Sequence, residues 1–370
     1  MSLRRTNSID FWRGFALMTI FVNHVPGIAF EGATHRNFGP SDSAELFVFL
    51  AGWSLHGLAA NPNDPLTMKR MILRVGARGV QLYAAQILIT MLAIALLAAA
   101  SLWAENPLLL EWHNAAAVFT DPVRTNVALV LMSHQLGYFN ILPLYVLLMM
   151  GAVVLAVGYR LTPYLVLPGA LAIYLAVLMI RWNVPTWPVE GEWFFNPLSW
   201  QLIYILGFLA AGAAEPGGFV ARNRIWLQGV GILGVIAGYA LYQLPEWPAQ
   251  TNWPAPWLYF TLLDKAYCAP PRLIHALCLF AACMGLYNLV FARFSLLSRF
   301  FCLLGRNSLY VFCVGSLLSL CGQLARFFFG GSLPVDIGVL LFGLTGMGVT
   351  AWASELLLRL REGSRAVSAR

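Results

Sequence analysis

Long apolar runs separated by short polar stretches recur along the whole chain. A helix needs about 20 apolar residues to cross the hydrocarbon core of a bilayer. Ten segments meet that length: roughly 10–30, 43–60, 79–103, 139–158, 161–182, 198–214, 226–243, 272–292, 307–329 and 335–358. The stretch 104–138 contains "VALVLMSH", too short to span and better suited to an outer amphipathic or re-entrant piece. The pattern predicts an all-α, polytopic integral membrane protein of about ten transmembrane helices, forming one domain over 1–370 with no clear internal repeat.

Composition agrees with this picture. The 370 residues are 59% hydrophobic and only 11% charged, against about 25% charged in soluble domains. Arg4 and Arg5 ahead of an apolar stretch imitate a signal peptide, but Asp10 and Arg13 interrupt that stretch and no small-x-small site follows. It reads as a retained first span. The six cysteines all fall in the last third without a C-x-x-C pair, as small core residues do.

The net charge of +7 needs no nucleic acid. With the N-terminus inside, the inner loops receive fifteen lysines and arginines and the outer loops six, with Arg13 and Arg306 in or beside spans. The positive-inside bias therefore predicts N-in and C-in. The outer loops then hold Trp112, Trp187, Trp193, Trp247, Trp253 and Trp257, with Trp103, Trp182 and Trp200 at their edges. These form either an interfacial belt or platforms on which sugar rings stack. The inner loops hold little beyond Trp12 and Trp226, which an even belt does not explain.

Charge inside the apolar text marks the candidate chemistry. In "IDFWRGFALMTIFVNHVPG", Arg13 and His24 lie within about 20° of each other on a helix, and Asp10 about 40° to the other side. His24 would sit about 21 Å beyond Asp10, in the outer half of the core. The stripe is either a simple inner-face pair plus a capping histidine, or a lined pathway. Asp42 and Glu45 open the second span on one helix face. A carboxylate on one imidazole nitrogen fixes the tautomer and leaves the other nitrogen as a general base; the same pattern serves proton relays. Arg70, Arg74 and Arg78 recur every four residues on the inner side, as topology anchors or as a clamp for phosphates.

At these residues the chain resembles a superfamily of membrane acyltransferases that includes O-antigen acetylases and the lysosomal heparan N-acetyltransferase. The pattern is Arg13 with His24, an acidic residue before "LFVFLAG" (Glu45), and the arginine-rich turn Arg70/Arg74/Arg78. In the heparan enzyme the matching asparagine falls at Asn23 and the active histidine nearer His35. More narrowly, "NFGPSDSAELFVFLAGWS", "NILPLYVLL", "EWFFNPLSWQLIYILG", "LDKAYCAPPRLIHAL" and "LGRNSLYVFCVGSLLSL" resemble the OpgC-type succinyltransferases of osmoregulated periplasmic glucans.

The resemblance implies transfer of succinyl from cytoplasmic succinyl-CoA to glucan hydroxyls, by a multi-pass protein of the bacterial inner membrane. Together with the helix-face pattern it gives His24, Glu45 and Asp42 as the expected catalytic residues, and Asp10, Arg13, Asn23, Arg70, Arg74 and Arg78 as the expected donor side. On the acceptor side stand His35, Arg36, His134, Trp193, Asn196, Trp200, Gln201, Asp264, Lys265 and Arg272. Lys265 and Arg272 would hold an anionic acyl tail or glucan substituent, or serve as outer-interface anchors. Asn196 would orient sugar hydroxyls or cap a helix. The expected partners are the bilayer, the glucan and acyl-CoA, with no nucleic acid, no metal and no tightly bound cofactor; self-association is left open. The rival reading is a proton-coupled carrier or flippase for a glycan or small solute, which should show repeated halves with paired broken helices.

Overall fold

The computed structural model describes residues 7–59, 67–244 and 257–368. Trp247 and Trp253 lie outside them. Fifteen α-helices carry the described chain: α1 Ser8–Asn23, α2 Ser43–Ala59, α3 Met68–Trp103, α4 Ala116–Thr120, α5 Pro122–Val130, α6 Ile141–Leu161, α7 Pro163–Ile180, α8 Pro197–Ala213, α9 Phe219–Arg222, α10 Arg224–Tyr242, α11 Pro270–Ala282, α12 Leu286–Arg293, α13 Ser295–Arg306, α14 Ser308–Phe329 and α15 Leu333–Ser368. The described residues contain no strand beyond a single bridge between Pro185 and Glu192. This is an all-α, multi-pass membrane protein.

Each of the ten expected spans contains a helix. Six of these helices (α3, α6, α7, α10, α14 and α15) are long and apolar enough to cross a membrane alone, and a seventh span arises if α11 and α12 count as one broken helix. α2 and α8 are shorter apolar helices. Four boundaries differ from the sequence reading. α1 stops at Asn23 rather than near 30, because Pro26 lacks the N–H that the next turn needs and Gly27 takes a positive φ of 74°. α3 begins at Met68, so the arginine run is helical; its 36 residues extend about 54 Å, well beyond a core of roughly 30 Å. The eighth span breaks at Gly285, with φ 80°. And 295–306, read as inner loop, is the amphipathic helix α13.

The chain forms two compact units, a central one over Phe38–Met284 and a terminal one built from Met1–Asn37 and Gly285–Arg370. In the central unit α2 packs on α8, α3 on α6, α7 on α8 and α10 on α11. The α2–α8 crossing is backbone to backbone. A Cβ on Gly52 would strike the carbonyl of Tyr204, and one on Gly207 the carbonyl of Phe49. In the terminal unit α1 and α13 meet the same way, through Gly14 against Phe301 and Gly305 against Asp10. Lipid tails are as apolar as leucine, so helix pairs in a bilayer gain from such close van der Waals approach rather than from leaving water.

Candidate active site

The amino end of α2 begins as a capping box. The Asp42 carboxylate accepts the Ala44 N–H at 2.8 Å, and Glu45 reaches back to accept the Asp42 N–H at 2.9 Å. The same two carboxylates meet two cations. Lys265 Nζ donates to Asp42 Oδ2 at 2.5 Å. Arg272, on the first turn of α11, donates Nε to Glu45 Oε1 at 2.8 Å and brings Nη2 to 2.6 Å of it and 3.4 Å of Asp42 Oδ2. Glu45 is fully buried and the Arg272 side chain is 9% exposed, whereas Lys265 is 30% exposed. Burial works against the charge on Asp42, but the Lys265 and Arg272 cations hold its carboxyl well below the usual carboxylate range.

The loop that carries Lys265 is fixed from several sides. The Trp200 indole N–H donates to the Lys265 and Ala266 carbonyls, and the Tyr174 hydroxyl to that of Cys268. The Asn196 backbone N–H donates to Ala266, while its side chain caps α8 at Leu198 and donates to Trp182. Asp264 pairs with Arg181 at 2.7 Å, whose guanidinium lies 3.9 Å from the Tyr267 ring centre. Gln201 ties α8 to the Ala170 carbonyl of α7.

Two sugar-platform expectations change here. Trp200 has no exposed surface and Trp193 only 5%, so neither offers an open face. The described tryptophans with open faces on these loops include Trp182 and Trp187. His134 is also buried, its Nε2 2.9 Å from the Asn114 carbonyl.

Sequence reasoning passed over a neighbouring pair. Ser41 Oγ lies 2.7 Å from His275 Nδ1, and both residues are buried. A side chain on Gly39 or Gly238 would strike the His275 imidazole, so both flanking positions require glycine. His275 lies three residues beyond Arg272 and thus on the same face of α11. That spacing was legible; its partners were not.

In the terminal unit, Asp10 lies within electrostatic reach of Arg13, Arg306 and Glu355. Arg306 Nε donates to Glu355 at 2.8 Å, and Arg359 stands 3.6 Å from the other Glu355 oxygen. Glu355 was missed although an acid in apolar helical text calls for the same scrutiny as Asp10. At the far end of α1, Asn23 accepts the Thr34 hydroxyl at 2.8 Å, and the His24 carbonyl accepts the Gln323 amide at 2.5 Å. The chain then folds back. His35 stacks 5.8 Å from the Phe15 ring, level with the middle of α1, while half-buried His24 stays at its end. Arg36 is an exposed partner of Glu31.

On α3, Arg70 and Arg74 are exposed and Arg78 is half-buried, donating to Gln81 at 2.7 Å. Among the described residues no carboxylate pairs with Arg70 or Arg74. α3 thus presents a row of cations about a turn apart, with Arg70 and Arg74 exposed, at the end of the central unit remote from Asp42.

A multi-pass helical protein with charges buried among its helices and an open arginine row beyond them fits a membrane-embedded group-transfer protein. The chain belongs to the OpgC protein family, whose model matches residues 4–359. That membership supports a membrane acyltransferase-type role in glucan modification, consistent with the acyltransferase superfamily. No curated protein and no solved structure matches the chain.

Proposed function

We propose that the protein is an O-succinyltransferase of the bacterial inner membrane, oriented N-in and C-in as one working domain, that moves succinyl from cytoplasmic succinyl-CoA to hydroxyls of periplasmic glucans. The observation that carries this reading is the arginine row on α3, free of acidic partners among the described residues, in a chain that matches the OpgC family almost end to end. Arg70, Arg74 and Arg78 hold the phosphates of the donor, with Asp10 and Arg13 at the mouth of the first helix. His24 takes the proton of a glucan hydroxyl. The oxygen attacks the thioester carbonyl, the C–S bond breaks, and the coenzyme thiolate leaves and is protonated. Lys265, the most exposed of the four charges in the Asp42 group, meets the succinyl carboxylate.

General-base catalysis contributes about 10²–10⁴-fold in rate. Glucans from cells carrying wild type should gain one succinyl mass increment, and those from cells with a well-expressed His24→Ala protein should lose nearly all of it. Full acylation by His24→Ala together with its loss in His35→Ala moves the base to His35, the residue beside Phe15. A glucan mass unchanged by removal of the gene overturns the reading and favours the carrier.

A further inference from the structure

The terminal unit contains a groove that the acyl-transfer reading does not use. It has a volume of about 400 Å³ and is lined by Phe300 of α13 and by Leu344, Thr345, Gly348, Val349 and Trp352 of α15. That volume falls within the roughly 300–1,000 Å³ of small-molecule sites. Its lining is apolar apart from Thr345. Trp352 is 60% and Val349 56% exposed, so the groove is open along its length.

One turn further along α15 the character changes. Glu355 there holds Arg306 from α13 and faces Arg359, while Asp10 and Arg13 of α1 belong to the same electrostatic group. Two acids stand against three arginines, so the group keeps a surplus positive charge. Arg306 also carries a donor with nowhere to go: its Nη1 is buried and has no hydrogen-bond partner among the described residues. A buried guanidinium N–H left unpaired costs free energy that an incoming acceptor recovers.

An apolar trough leading to a cationic end with a spare donor matches one kind of molecule, a hydrocarbon chain on an anionic phosphate head. We propose that this crevice between α13 and α15 binds an anionic glycerophospholipid, its acyl chain along Phe300, Gly348 and Trp352 and its phosphate against Arg306 and Arg359. Basic pockets between membrane helices take such headgroups. Gly348 matters to the fit: a Cβ there would close to 3.2 Å of the Phe300 ring and narrow the trough. The residues that would touch the lipid, Arg306, Arg359 and the walls of the trough, are not ones that the succinyl-transfer assignment uses, although Asp10 and Arg13 belong to both charge groups.

Trp352 supplies its own reporter. The full-length protein is reconstituted with phosphatidylglycerol or phosphatidylcholine carrying brominated acyl chains, and the Trp352 signal is taken as wild type minus Trp352→Phe. At low mole fraction, brominated phosphatidylglycerol should quench that signal several-fold more than brominated phosphatidylcholine. Arg359→Gln, at a half-exposed position that the fold tolerates, should bring the two lipids level, and Gly348→Leu should weaken quenching by both. Free glycerol phosphate should not relieve the quenching. Equal quenching by the two lipids in wild type, or an undiminished preference in both Arg306→Gln and Arg359→Gln, overturns the proposal. Relief by free glycerol phosphate also overturns it, because the head alone would then be the ligand.

Discussion

Each unit holds a group of charged side chains among its helices, and the two groups are balanced differently. In the central unit Asp42 and Glu45 face Lys265 and Arg272, two acids against two bases, with Glu45 receiving Arg272 on one oxygen and the Asp42 backbone on the other. In the terminal unit Asp10 and Glu355 face Arg13, Arg306 and Arg359, and one Arg306 nitrogen is left without a hydrogen-bond partner among the described residues. The first group closes on itself. It fastens the start of α2 to the start of α11 and leaves little charge for a ligand, apart from the exposed end of Lys265. The second keeps a surplus, and a surplus in a medium that solvates charge poorly is a demand for an anion.

The sharpest way to break this comparison is Arg272→Ala. It strands a fully buried Glu45 carboxylate, which costs about 3–5 kcal/mol. Thermal unfolding in detergent should show a large loss, much of it recovered by pairing Arg272→Met with Glu45→Gln. A small loss in the single variant would mean that the central group is not closed. Arg306→Ala should cost less, about 1–3 kcal/mol, since Glu355 keeps Arg359 nearby and the spare donor leaves with the side chain.

The smallest effect sharpens the contrast through pH. The native carboxyl of Asp42 is depressed, so its stabilising contribution is complete above its unfolded value of about 3.9 and disappears only as pH falls below that, through the native value. The stability difference between wild type and Asp42→Asn should hold constant from pH 7 to about pH 5 and shrink below pH 4. Lys265→Ala removes the more exposed partner and should cost only about 0.2–1 kcal/mol, while raising the pH at which the acid loss is complete.

The helical architecture was legible because apolar runs of fixed length have few other uses, and every expected span holds a helix. α13 was not. Its 12 residues mix leucine and phenylalanine with arginine, a pattern shared by inner loops, and it becomes a helix because α1 offers a glycine face for it to lie on. The chemistry divides similarly. Asp42, Glu45, Lys265 and Arg272 all stood out as charges near apolar text, yet their pairing joins positions more than two hundred residues apart. Asn196, Gln201 and Asp264 also stood out, and the structure engages them in a helix cap, a helix tie and an ion pair. Polarity announces that a side chain needs a partner; only the folded chain says which.

The glycine contact between α1 and α13 also sets a timetable for synthesis. The residues that cover α1 in its unit are made roughly 270 positions after it, which at about 5–20 residues per second takes roughly 15–55 s. Through that interval α1 carries Asp10 and Arg13 before Arg306 and Glu355 exist, and its bare glycine face before Phe301 arrives to fill it. Ten helices of the central unit are laid down meanwhile. α1 is thus made before all the helices of its unit that cover it, and a temporary neighbour has to shelter it until the carboxy-terminal third is made.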